Sequence, residues 1–529
     1  MNKNKIYTPL FLSLAVVAGI FIGSMLDYPK KNSVMLFNRN PSETKIKRLI
    51  DYIQYDYVDK VDTDSLLDGT IRNILGKLDP HSVYIPASEH DAIAERMNGE
   101  FVGVGIQFRM YKDSLTVVSV VDGGPSHKAG IKAGDRILIA NKDTLYNKNI
   151  TTNYIYKTLK GEPKTKVNLI VYRKSEKKLL NFTIKRGSIP IKSVDAFYML
   201  NDNLGYIKIN KFATTTYDEF KEGLLALQDK NMKRLVLDLR GNPGGYLGIA
   251  TDIVDEFLED DKLIVFTKNK GGKIDKTFAT SKGEFEEGKV YVLIDEVSAS
   301  ASEIIAGALQ DNDKGIIVGR RSFGKGLVQQ EMDLGDGSSV RLTVSRYYTP
   351  TGRSIQKPYD GENGNSYYND RIARFHNGEL TNGDSIKVND SLKFVTPKGK
   401  IVYGGGGIVP DVFVGIDTTA YFSGIDFQTI NNFVFDYAID NHREQVKEWK
   451  FDEFKYNFDT DEVILNQYFS TINKTDNLNI SYAKLYLKAL FARILFGENA
   501  FYETLNANDK MLEKILALES EVEISDFKD

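Results

Sequence analysis

A chain of 529 residues has the length for about three or four domains. Its 69 basic and 72 acidic side chains leave a net charge of -3, so no global field draws it to nucleic acid. With no cysteine, disulfides, thiol nucleophiles, cysteine zinc sites and lipid-modified cysteines are excluded. The five histidines, His81, His90, His127, His376 and His442, have no H-x-x-x-H spacing, so they give a metal site little support, and most read as surface or capping residues.

The chain opens with "MNKNKIYTPLFLSLAVVAGIFIGSMLDYPKK", in which Lys3 and Lys5 precede an apolar run from Leu10 to Leu26. At ~1.5 Å per residue this run reaches roughly 25 Å, just under a ~30 Å hydrocarbon core, with Tyr7 and Tyr28 placed for the interfaces. No A-x-A-like cleavage site precedes Asp27. Residues 1–30 therefore read as an export signal kept as an inner-membrane anchor with the rest in the periplasm, or as a leader cut on export. Residues 42–97 place apolar side chains at three- and four-residue spacing in "TKIKRLIDYIQYDYV" and "SLLDGTIRNILGKL", which predicts two amphipathic helices. From Phe101 the pattern changes to short alternating segments ("FVGVGIQF", "SLTVVSVV", "DRILIA", "KVNLIVYR", "LLNFTIKR") between Gly- and Asp-rich turns, a β-rich domain ending near Arg186. Between about 188 and 356, strands such as "KRLVLDLR" and "KVYVLID" alternate with helical patterns such as "YLGIATDIVDEFL", an α/β core whose sheet is covered on both faces. Residues 357–400 are polar and rich in Gly, Asn and Asp, a long insertion, and the chain after 417 is helical.

Three motifs in the core carry chemistry. "GRRSFGKG" (319–326) matches most of the phosphate-loop pattern, but Gly326 replaces the magnesium-holding hydroxyl and the alternating sequence after Lys325 offers no helix N-terminus for a phosphate. Lys325 is then either a surface lysine in a turn or a buried base. In "VLIDEVSASASEIIAGALQDN", Ser300 and Glu303 form an S-x-x-E capping box. A serine at such a strand-to-helix turn is equally placed to be a nucleophile, with lysine in the place of the base because no histidine lies in these motifs. The "DLRGNPGG" turn (238–245) reads as an ordinary βα turn or as an oxyanion hole built from Gly244, Gly245 and Ala301 N–H groups. Gln329 would share the face of Lys325 in an extended segment.

Together with "GIVPDV", these motifs in this order after a glycine-opened β-domain closely resemble the C-terminal processing, or tail-specific, serine peptidases, over about residues 45–415. The resemblance implies Ser300 as nucleophile, Lys325 as general base, Gln329 supporting the lysine, and an oxyanion hole of Gly244, Gly245 and Ala301. It also identifies a PDZ domain, in which "FVGVGI" would bind a peptide carboxylate through the N–H groups of Gly103, Val104, Gly105 and Ile106, and "TTNYIYKTLKG" would supply the helix beside the groove. The expected fold class is multidomain α/β: anchor 1–30, helical region 42–97, PDZ domain 98–187, Ser-Lys peptidase core 188–416 with the insertion at about 357–400, and helical domain 417–529. The expected function is a cell-envelope serine endopeptidase acting on proteins with free, unstructured C-termini, with no metal, nucleotide or other cofactor and no nucleic-acid partner. The resemblance further suggests a homodimer assembled through the helices of 42–97, and leaves room for an adaptor protein. The competing class, a non-catalytic PDZ scaffold or chaperone on a degenerate core, would not need Ser300, Lys325 and both glycine turns together.

Overall fold

The computed structural model describes residues 13–18, 41–111, 113–146, 150–359, 364–418, 424–438, 449–460, 462–472 and 479–526. Two compact units divide the chain, residues 1–71 and 72–529. In the first, residues 13–18 are helical and the remainder of the expected anchor lies outside the described residues. Among the described residues, no helix is long and apolar enough to cross a membrane. Helix α1 (Pro41–Tyr55) and the start of α2 (Thr63–Gly76) follow the predicted amphipathic spacing.

In the second unit, β1 (Val83–Ile85) and α3 (Ala87–Asn98) lead into β2 (Glu100–Gly103). A five-membered antiparallel path follows, β3 (Ile106–Tyr111), β4 (Ser114–Val120), β5 (Arg136–Ala140), β7 (Lys166–Arg173) and β8 (Lys178–Lys185), with β6 (Asp143–Thr144) added to β5. Two helices complete this domain, α4 (Pro125–Ala129) and α5 (Thr152–Leu159). Alternation puts Val167, Leu169 and Val171 of β7 on the inner face, where they join Leu115, Val117 and Ile155 in one apolar core. Strand β9 (Gly187–Pro190) pairs antiparallel with β2, so the chain enters and leaves the β-domain side by side, the arrangement of an inserted module.

The core sheet has the order β10 (Val194–Met199), β11 (Leu204–Ile209), β12 (Arg234–Asp238), β15 (Lys289–Ile294), β16 (Gly315–Gly319) and β21 (Val412–Phe413); only β10 runs antiparallel to its neighbour. Helices α6 (Thr216–Gln228), α7 (Leu247–Asp255) and α8 (Ala301–Asp311) cover one face, burying Leu235 and Leu237 of β12 and Val290 and Val292 of β15. The alternate residues Val236, Tyr291 and Leu293 point to the other face. That face is closed by the N-terminal half of the last helix, through Met511, Leu512 and Ile515. A sheet buried on both sides is what its near-continuous apolar strands require. Beside it, β13 (Leu263–Asn269), β14 (Ile274–Phe278), β17 (Leu327–Asp333) and β18 (Ser339–Tyr348) make a second, antiparallel sheet with β1.

Among its described residues, the 357–400 insertion carries regular structure. It contains α9 (Gly364–His376), two short 3-10 turns and β19 (Lys393–Val395), which pairs with β20 (Ile401–Tyr403). Five further helices, α10 (Phe427–Tyr437), α11 (Phe451–Asn457), α12 (Glu462–Thr471), α13 (Ile480–Phe496) and α14 (Glu498–Leu505), share an aromatic-rich core of their own before α15 (Lys510–Asp526). Arg109 of β3 joins the β-domain to these helices: it donates to the Asn432 carbonyl at 3.0 Å and pairs with Asp436, both on α10.

Candidate active site

Three loops leave the sheet at the carboxyl ends of β12, β15 and β16, the edge at which open α/β sheets build their sites. The loop after β12 holds Gly244 (φ 103°) and Gly245 (φ 154°). A Cβ on Gly244 would lie 2.7 Å from the Ser300 Cβ and 3.0 Å from the Ala301 nitrogen, and one on Gly245 would collide with the Phe212 carbonyl, so neither position admits a side chain. Asn242 pins this turn, accepting the Gly244 N–H at 2.8 Å and donating to the Ile209 carbonyl at 3.0 Å. The Gly244 N–H is thus engaged by Asn242, and the missing side chain at Gly244 leaves room for the close approach of Ser300.

The three serines of "SASAS" fall into different surroundings. The buried Ser298 hydroxyl donates to the Leu239 carbonyl at 2.8 Å, and the buried Ser302 hydroxyl donates to the Asn242 carbonyl at 3.0 Å. Both tie the serine loop to the glycine turn. Ser300 lines the cleft and has φ 56° and ψ -114°, a backbone conformation that costs a non-glycine residue about 1–3 kcal/mol and persists only where its surroundings over-determine it. Those surroundings are explicit. Its N–H donates to the Glu303 carboxylate at 2.9 Å, and its carbonyl accepts the Glu303 and Ile304 N–H groups at 2.8 and 3.0 Å.

Glu303 is thus more than half of a capping box. It is fully buried, and its two oxygens also accept the Gly324 N–H at 2.7 Å, the Lys325 N–H at 2.8 Å and the Ser322 hydroxyl. One carboxylate therefore fixes the Ser300 and Lys325 loops relative to each other. Burial raises its pKa, and these hydrogen bonds oppose that shift. A second tie comes from β18, where the Tyr347 hydroxyl lies 2.8 Å from the Lys325 carbonyl and 3.2 Å from that of Ser300. Strand β17 begins directly after Gly326, so no helix N-terminus follows Lys325 and the phosphate-loop reading falls.

Ser300, Lys325, Gln329, Gly244 and Gly245 line one cleft of about 720 Å³, whose apolar wall includes Ile93 and Met97 of α3. Burial pushes the Lys325 ammonium below its ordinary pKa; nearby Arg341 adds to this, while Glu303 and Asp79 oppose it. Gln329 shares the cleft, and its amide donates to Thr343 Oγ1 over a long 3.4 Å; Thr343 in turn donates to Asp79 at 3.1 Å. Sequence reasoning missed the "DPHS" segment altogether. Asp79 is buried and accepts the Ser82 hydroxyl at 2.6 Å, and His81 lines the cleft rather than serving as a surface or capping residue. Burial first, then Lys325, lowers the His81 pKa to about 4, and its Nε2 lies 2.8 Å from the Tyr367 hydroxyl. The signal available in advance was only local: a Pro-flanked Asp-x-His-Ser after a helix, which by itself marks a turn.

In the β-domain, Gly103, Val104, Gly105 and Ile106 form the connection from β2 to β3. Gly105 has φ 77°, and the Val104 and Gly105 carbonyls accept the Ser126 and Val121 N–H groups at 3.0 and 3.1 Å, which fixes the loop through its acceptors. A second cavity of about 760 Å³ lies between the core and the C-terminal helices; there Arg240 pairs with both Asp238 and Asp509, each at 2.6 Å.

Comparison with known proteins matches residues 203–361 to peptidase family S41, 102–185 to the PDZ domain, 27–88 to the activating protease CtpB N-terminal domain, and 425–497 to a family of unknown function. The chain is 35% identical to the carboxy-terminal processing protease CtpB of Bacillus subtilis (strain 168) over 356 residues, covering 66% of this chain and 73% of that protein. It is 34% identical to a probable CtpA-like serine protease of Staphylococcus aureus (strain N315), covering 65% of this chain and 67% of that protein. Among solved structures, a photosystem II D1 C-terminal processing protease matches at 24% identity and a TM-score of 0.36, covering 70% of this chain and 86% of that one.

Proposed function

Because the chain belongs to peptidase family S41, the C-terminal processing peptidases, and carries a PDZ domain, we propose that it is a serine endopeptidase acting through Ser300 and Lys325 on proteins with free C-termini. The observation that carries this reading is the single buried carboxylate of Glu303, which binds the N–H groups of both Ser300 and Lys325 at the edge of one cleft. In acylation, the neutral Lys325 amine takes the Ser300 hydroxyl proton as the oxygen attacks the peptide carbonyl. The resulting oxyanion lies toward the Ala301 and Gly245 N–H groups. Lys325 then returns the proton to the departing amine, leaving an ester on Ser300, and the same lysine deprotonates the water that hydrolyses it. Gln329 supports the amine. The PDZ loop from Gly103 to Ile106 captures the substrate carboxylate, and the apolar leader places the enzyme in the cell envelope, held at the inner membrane.

The test is cleavage of an unstructured protein by the full-length chain, with product termini read by mass spectrometry. Ser300→Ala and Lys325→Ala should each lose about 10³-fold or more, and the double variant little beyond that, because the two groups act as a unit. Undiminished cleavage by folded Ser300→Ala would refute the assignment.

A further inference from the structure

The Lys325 loop is held from two sides by different parts of the chain. Its inward-facing donors, the Gly324 and Lys325 N–H groups and the Ser322 hydroxyl, go to Glu303. Its carbonyls turn outward to the 357–400 insertion, whose helix α9 presents Arg374. One guanidinium nitrogen of that residue donates to the Ser322 carbonyl at 2.8 Å and the Arg321 carbonyl at 3.2 Å, and the other lies 3.4 Å from the Phe323 carbonyl. Three successive carbonyls immediately before Gly324 and Lys325 thus converge on one planar fork, a geometry that a lysine point charge cannot reproduce. The Arg374 side chain is only 3% exposed and is charge-balanced by Asp370 at 2.9 Å, also on α9. The pairing matters, because a buried charge is retained only where charge partners and hydrogen bonds offset its desolvation. The same helix contributes Tyr367, whose ring packs edge-on against Phe323 at 5.6 Å and whose hydroxyl meets His81.

We propose that the insertion is a brace for the catalytic lysine, with Arg374 as its positioning residue. The proposal rests on the Ser300–Lys325 reading and adds to it a part for a segment that has no assigned role. Held by Glu303 inside and Arg374 outside, the loop keeps Lys325 in the cleft that it shares with Ser300. Without Arg374, three carbonyls lose their partner, the loop relaxes toward water, and the amine regains solvation, which favours its charged form. The loss falls on the chemical step rather than on substrate capture.

The experiment uses full-length Arg374→Ala and Arg374→Lys with a short peptide substrate, assayed from about pH 6 to about pH 10, a span reaching the ordinary lysine range. Rates are referred to the folded fraction measured by near-ultraviolet circular dichroism. Arg374→Ala should lose roughly ten- to hundredfold in kcat with KM unchanged, the scale expected of a displaced catalytic group. The acid limb of its kcat profile should move to higher pH. Arg374→Lys, which keeps the charge but not the fork, should fall between the alanine variant and wild type, and it decides the question alone if Arg374→Ala does not fold. A lower melting temperature with kcat per folded molecule and acid limb both unchanged would overturn the proposal and leave Arg374 purely structural. Should Ser300→Ala, run in parallel, keep wild-type activity, the underlying assignment fails instead, whatever the Arg374 variants do.

Discussion

At the scale of single residues, the site turns on which protonation state each buried group prefers. Lys325 titrates below the ordinary lysine value of 10.5, chiefly through burial and then through Arg341. A base must be neutral, so hydrolysis should rise with pH through a group titrating below 10.5. In Arg341→Gln a cation that disfavours the ammonium is gone, and the acid limb should shift to higher pH; an unmoved limb would show that Arg341 does not act on the titrating group. His81 gives a stability prediction of definite sign. Its folded pKa of about 4 lies below the ordinary 6.5, so in that window the unfolded chain binds a proton that the folded chain does not. Stability therefore falls as pH drops from 6.5 toward 4, and the drop in Tm over this window should be smaller in His81→Gln than in wild type. That Ser300 and Lys325 share one cleft agrees with their motif order, whereas Glu303 was legible only as a cap. Its wider role depends on a loop 19 to 22 positions away in sequence folding back onto it, which no local pattern announces.

At the scale of elements, period and punctuation in the sequence were informative because each strand and helix answers to its own burial. β7 alternates strictly, and the apolar strands of the core sheet are buried on both faces as their composition requires. The element following Lys325 is the strand Leu327–Asp333, which offers no helix N-terminus and so removes the phosphate-loop reading. The insertion was not legible in this way. Its polar composition hid a helix whose contacts are ion pairs and aromatic edges rather than an apolar stripe. In the β-domain, a Cβ at Gly105 would lie 2.9 Å from Ile189 Cδ1 at a backbone φ of 77°. Gly105→Val should therefore weaken capture of free C-termini, with hydrolysis of a short ester preserved if the domain still folds. Amidating a substrate's C-terminus should reduce its cleavage roughly ten- to hundredfold, since charge-assisted hydrogen bonds contribute about 1.5–3 kcal/mol. Equal cleavage of the acid and amide forms below saturation would remove the carboxylate-reading role from this loop.

At the scale of the whole molecule, the last helix completes the peptidase core. Met511, Leu512 and Ile515 of α15 close the second face of the core sheet, and Glu519 pairs with Lys289 at 3.2 Å and with Arg234. Ile515 is fully buried, so Ile515→Ala should cost about 2–5 kcal/mol in denaturant unfolding, the range for emptying a buried aliphatic site. A cost near zero would mean that the helix does not seal the sheet in solution. The helical character of this tail was readable from its spacing, but its docking was not, because the partner strands lie some two hundred or more positions earlier. The central claim is that Ser300 is the nucleophile and Lys325 its activator. It is tested most directly by reacting the full-length protein with a serine-directed fluorophosphonate and mapping the adduct by mass spectrometry. The account predicts one adduct, on Ser300, forming far more slowly in a folded Lys325→Ala variant. An adduct on a different serine, or wild-type labelling speed without Lys325, would contradict it.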